Sequence, residues 1–390
     1  MYFTSTATHA HGILRLFPSF SLRRLVQLHG EACRSHGLDP SDIAEADDSA
    51  ALRWLHERDG LLPAHLAEDL ERIEELTNEK GASTLLAVGR EAGLDLRSLG
   101  VDPVQVAVRA FLEHRPLFER AHGRRAFETL RGSSEFAGRG RSAPPLFEVD
   151  ALDGLAARFG LEFDARGRSA HCRISFARVA DRMIFGVAHG ALVKVDEALS
   201  DEPGIGDPAK AAYLSEGTIR YRPQRRDIVV YDARAGALRI RAADAATLRA
   251  YRRGFGEFLF RDPEWFGDGP VVSLEPLALG ADAVEVPTPG LREVRVVGLL
   301  LRHHQGPRGT TAFHSADIWP YLQARLNGTL ADGELLEAVF RVWPVGGAQP
   351  ANVRVRVPHR VEYTRISDDL IRPYLEARGF LAEPAARLAV

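Results

Sequence analysis

From about residue 21 to 123 apolar positions recur at helical spacing, and beyond about residue 145 the period shortens to two. That change predicts a helical N-terminal region followed by sheet. The clearest early helix follows Pro63, a residue suited to a first turn. Leu66, Leu70, Ile73 and Leu76 form its apolar face, Glu68, Asp69, Glu71, Glu74 and Glu75 its polar face, and Asn78 with Gly81 its stop. Shorter amphipathic stretches at 22–36, 51–58, 84–92 and 104–113 complete an orthogonal helical bundle over residues 1–123.

Residues 124–145 are rich in Gly, Ser, Arg and Pro without a sustained period, which predicts a linker. Alternation then marks strands at 171–177, 182–195, 218–221, 227–231 and 237–241, with Ala235-Gly236 as a hairpin turn and a helix at 243–258. This is the first α+β domain, 146–266. A second α+β unit, 267–390, carries strands at 271–277, 293–303, 336–345 and 351–357 and helices at 318–326 and 367–378. The last helix has Ser367 as cap, Asp368 and Asp369 in its first turn, Leu370, Ile371, Tyr374 and Leu375 as its apolar face, and Gly379 as its end. The fold class expected is α+β: an all-helical N-terminal domain, then one or two antiparallel-sheet units.

A chain of 390 residues suits roughly two or three domains. Its 45% apolar and 26% charged content is ordinary for a globular protein. Cys33 and Cys172 are far apart, so neither a disulfide framework nor a cysteine zinc site is indicated, and a reducing, cytoplasmic setting is expected. The start lacks a basic n-region and no run of about 18 apolar residues occurs, so neither export nor a membrane partner is expected. Lys80, Lys194 and Lys210 are the only lysines among 50 basic residues, a bias that suggests a GC-rich bacterial genome.

The formal net charge of −3 conceals segregation. Residues 41–100 hold 14 acidic and 6 basic side chains, whereas 220–261 hold 11 arginines against Asp227, Asp232, Asp244 and Glu257. Arg220, Arg222, Arg225 and Arg226 fall on or beside a strand, and Arg249, Arg252 and Arg253 fall on one helix. Gathered on one face, with Tyr221 and Tyr231 for stacking, they would neutralise phosphates of DNA or RNA. The competing reading is a solvated face with salt bridges to the acidic helical region.

Three histidine settings carry residue types suited to catalysis. His189, at a strand end beside Gly190 and near Lys194, has the chemistry of a general acid or base, or of a histidine bonded to backbone. His303 and His304 are adjacent on a strand and point to opposite faces, a poor metal pair. His314, Ser315 and Asp317 contain triad residue types without the convergence a triad needs, and Asp317 suits a helix cap better. The loop from Gly204 to Lys210 lacks phosphate-loop spacing, and no dinucleotide, zinc-protease or nucleophile-elbow motif is present, so no cofactor is expected. Arg354, Arg356 and Arg360 read as the polar outer face of a sheet.

These features lead to a non-enzymatic binding subunit of a bacterial intracellular assembly, with genome defence or nucleic-acid processing as its setting. It would engage a protein partner through the helical domain and nucleic acid through the Arg-rich region. The alternatives are a hydrolase or nuclease using His189 and a purely structural adaptor.

Overall fold

The structure, a computed structural model, describes residues 19–35, 39, 41, 63–100, 102–128, 132–139, 144–192, 194–200, 215–221, 224–268, 271–285, 288–303, 309–326, 333–347 and 349–381. Every described helix or strand before Gly132 is helical: α1 (Ser19–Leu28), α2 (Gly30–Ser35), α3 (Ala64–Glu74), α4 (Glu79–Glu91), α5 (Pro103–Glu113) and α6 (Arg115–Glu128). Side-chain caps fix two of these starts: Asn78 accepts from Gly81 N, and Asp102 accepts from Gln105 N ahead of Pro103. Leu25, Leu66, Leu70, Ile73, Val88 and Phe111 meet in one apolar core.

Asn78 and Gly81 act differently from the stop expected of them. Asn78 starts α4, and Gly81 lies inside it, where a Cβ would fall 2.4 Å from Leu76 Cα. The predicted helix at 51–58 and the loop at 204–210 lie outside the described residues.

The sheet elements are β1 (Gly132–Ala137), β2 (Cys172–Val179), β3 (Arg182–Gly190), β4 (Lys194–Ser200), β5 (Ser215–Tyr221), β6 (Gln224–Asp232), β7 (Ala237–Arg241), β8 (Leu291–His303), β9 (Thr310–His314), β10 (Gly333–Pro344), β11 (Ala351–Arg356) and β12 (Arg360–Thr364). Ten of them form one sheet in the order β2-β3-β6-β7-β1-β12-β11-β10-β8-β9, and β4 pairs with β5 separately. Helices α7 (Leu152–Asp164), α8 (Ala245–Phe260), α9 (Ile318–Leu326) and α10 (Asp368–Ala377) complete an α+β fold.

Two compact units divide the chain discontinuously. The first comprises 1–125, 152–177 and 186–226, the second 126–151, 178–185 and 227–390. In the second, Phe340, Val353, Val355, Tyr374, Leu375 and Phe380 lie in the core between sheet and α10. The hairpin at Ala235-Gly236 forms as expected: Asp232 pairs with Ala237, Gly236 takes φ 59°, and Asp232 Oδ1 accepts from the backbone N of Arg234 and of Ala235.

Residues 124–145 do not form the linker that their composition predicts. Helix α6 continues to Glu128, and Gly132–Ala137 is β1, paired with β7 on one side and β12 on the other. Its buried positions include Ser133, Ser134 and Glu135, so a search for apolar period could not see it. A second correction concerns 271–277. Only a bridge from Val272 to Leu381 forms there, and Pro276 opens a 3-10 segment from Glu275.

Candidate anion-binding site on helix α8

Asp244 caps α8, its Oδ1 accepting from Thr247 N at 2.8 Å. Ala250, Tyr251, Phe255 and Leu259 then bury one face, with the Tyr251 hydroxyl donating to Asp227 at 3.0 Å and Phe255 tilted against Phe185 at 4.8 Å. These contacts anchor the inner face of the helix. Arg249, Arg253 and Glu257 recur every fourth residue on its exposed face.

Arg252 lies between these faces and is only 6% exposed. Its Nη1 makes an ion pair with Asp268, its Nη2 is 3.9 Å from Glu264, and its guanidinium carbon is 5.8 Å from the Phe136 ring centre. Among the described residues its Nε has no hydrogen-bond partner. His359 approaches the same ring at 4.9 Å, and its Nδ1 is likewise without a partner among the described residues. Burial pushes the Arg252 pKa down; Glu264 opposes this, while Arg253 and Arg249 add to it. Burial, then the charge of Arg252, holds His359 below its ordinary 6.5 against a backbone bond to Glu135.

The other arginines of the expected surface have separate placements. Arg220 is on β5, Arg222 lies outside the described residues, and Arg225 is exposed. Arg226 Nη1 donates to Glu75 at 2.6 Å, an internal pair with the acidic helix. Arg253 makes a 3.3 Å ion pair with Glu264. Arg225 and Arg226 fall in the first unit and Arg249, Arg252 and Arg253 in the second. Within the second unit, only the three arginines of α8 form a local cluster from the predicted set.

The acidic face of α3 is similarly committed. Asp69 is 3% exposed and accepts from His29 at 3.1 Å and from Arg72 and Arg115 at 3.3 Å each; Glu68 accepts from Arg173 at 3.0 Å. Burial raises the Asp69 pKa, but His29 and the arginines outweigh it and bring it to about 2. Elsewhere, buried Arg239 grips Asp368 through two 2.8 Å bonds and reaches Tyr363, while Arg372 grips Glu135 at 2.9 and 2.6 Å. Asp368 falls to about 2 because Arg239 overcomes the effect of burial. Asp368 was expected to act on the helix dipole of α10; here its carboxylate faces a guanidinium.

His189, His303 and Asp317 each have local partners. His189 is 1% exposed, stacks on Phe163 at 4.3 Å and lies 3.1 Å from the Gly190 carbonyl. His303 meets Thr311 at 2.7 Å, and His304 lies outside the described residues. Asp317 accepts from Trp319 N and so caps α9. Arg354 and Arg356 meet Glu337, and Arg360 meets Glu362, as a polar sheet face does.

Sequence reasoning singled out Arg252 but missed His359, Glu264 and Asp268. A histidine after Pro358 in a turn gives no periodic signal, and its proximity to Arg252 exists only once β1 and β12 pair. No protein-family model matches the sequence, and no curated protein matches it.

Proposed function

We propose that this chain is a non-enzymatic binding subunit of a bacterial intracellular assembly, and that it engages nucleic acid through the arginine cluster of α8. One observation carries the reading: Arg249, Arg252 and Arg253 crowd about one turn of a helix whose inner face is buried, two exposed and one buried. Like charges at this spacing destabilise a helix by about 0.2–0.5 kcal/mol per pair, and burying an incompletely bonded guanidinium costs more. The exposed Glu264 and Asp268 carboxylates offset these costs in part, and an approaching phosphate would offset them further.

A protein partner on the helical region belongs to the same reading. Glu68 and Asp69 are committed internally, so docking has to use other surface. His189 is enclosed, a placement that gives the hydrolase alternative no support.

The test is binding of a mixed nucleic-acid pool by wild type and an Arg249→Glu/Arg253→Glu variant. Binding roughly ten- to hundredfold weaker in the variant is expected. Equal binding by both proteins rejects the reading, and co-purification of a stoichiometric protein without nucleic acid favours the adaptor instead.

A further inference from the structure

Arg252 has unusual company for a buried guanidinium. A buried arginine ordinarily ends on a carboxylate that is buried with it, because two desolvated charges then satisfy one another. Arg239 and Arg372 follow that rule: the Asp368 and Glu135 side chains are 9% and 4% exposed. Arg252 departs from it, since its 7% exposed side chain is paired with the Asp268 carboxylate, which is 77% exposed. Glu264, the next nearest carboxylate at 3.9 Å, is 51% exposed and closer to Arg253.

An exposed carboxylate keeps much of its hydration and so holds its partner less firmly than an enclosed one does. The buried guanidinium, by contrast, has lost its water and keeps Nε without a partner among the described residues. His359 Nδ1 is also without a partner among the described residues, and both groups approach the same Phe136 ring. With its pKa below the ordinary value, the His359 ring is neutral at pH 7 and adds no charge to repel Arg252. In the tautomer that carries its single proton on Nδ1, the ring can donate to an oxyanion oxygen while Arg252 presents its planar fork.

We infer that Arg252 and His359 form a discrete site for one oxyanion of the phosphate type, and that Asp268 occupies Arg252 as an internal competitor which the ligand displaces. The inference uses the same helix as the nucleic-acid reading but needs a single anionic group and no polymer. A free phosphate and a phosphate within a strand share this chemistry.

The experiment titrates inorganic phosphate into the full chain, following heat and the His359 ring resonances, for wild type, Asp268→Asn, Arg252→Lys and Arg249→Gln/Arg253→Gln. Asp268→Asn removes the competitor from an exposed position and should tighten phosphate binding by roughly three- to tenfold. Arg252→Lys should abolish it, and the exposed pair of substitutions should change it less than about twofold. In every protein that binds, the His359 resonances should move with the heat.

Three results overturn the inference: no saturable binding by Asp268→Asn, binding unaffected by Arg252→Lys, or binding without any shift at His359. If Arg252→Lys fails to fold, the Asp268→Asn affinity and the His359 shift decide the matter. Phosphate binding without nucleic-acid binding leaves this site standing and removes the polymer reading. Nucleic-acid binding with no phosphate binding by Asp268→Asn does the reverse.

Discussion

Arg226 Nη1 donates to Glu75 Oε1 at 2.6 Å, so the basic stretch and the acidic helix that the sequence separates by 151 positions meet within one unit. His122 Nε2 lies 2.8 Å from the other oxygen of the same carboxylate. Because Glu75 is 46% exposed at its side chain, the Arg226–Glu75 pair should contribute modestly. A double-mutant cycle with Arg226→Ala and Glu75→Ala, read by urea unfolding, should give a coupling of about 0.5–1 kcal/mol. Zero coupling would mean that the pair is incidental.

The Glu135–Arg372 pair should behave differently, because Glu135 is almost wholly enclosed. Removing one partner by Glu135→Ala leaves the Arg372 guanidinium with Glu376 at 2.9 Å, and the loss should be about 3 kcal/mol, the low end for a broken buried pair. Replacing both by apolar residues, Glu135→Leu with Arg372→Met, should cost less than either single change. Unfolding midpoints of the three variants check that order.

Acid should destabilise the protein in two stages. Burial holds His122 and His359 below their ordinary 6.5, so the unfolded chain takes up protons first; stability is whole above pH 6.5 and declines beneath it. Asp69 and Asp368, at about 2 against an ordinary 3.8, hold their contribution above about pH 4 and lose it as pH falls toward 2. Thermal midpoints between pH 8 and 2 should show both declines, and a His122→Asn/His359→Asn variant should lack most of the first. A profile flat from pH 7 to 5 in wild type would contradict the assignment.

Gly160 offers a test of packing in which the usual sign reverses. Glycine to alanine inside a helix ordinarily gains about 1 kcal/mol. A Cβ at Gly160 would lie 2.1 Å from the Ala170 carbonyl oxygen, so α7 and the following segment must separate. Gly160→Ala should therefore lower stability by roughly 1–3 kcal/mol, measured by urea unfolding.

Elements with a regular apolar period were legible in the sequence. Ala237–Arg241 and Ile318–Leu326 form over the bounds expected of them, and α10 carries Ile371, Tyr374 and Leu375 inward. Helix α7 carried the same signal in Leu152, Leu155, Phe159 and Phe163, and was overlooked beside the strands that follow it. Strand β1 was illegible for a physical reason: Ser133, Ser134 and Glu135 are buried, and Glu135 has its counter-charge in Arg372 at the far end of the chain. The site divides in the same way. The three arginines of α8 are visible as a local run, whereas the closeness of Arg252 to His359 depends on tertiary pairing.

Contact between the α8 arginines and phosphates is read from the slope of log Kobs against log salt concentration for nucleic-acid binding. Wild type should show a steep negative slope, and Arg249→Glu/Arg253→Glu a slope shallower by about 1 to 2, since each lost duplex phosphate contact removes about 0.9. Identical slopes for the two proteins would contradict the claim.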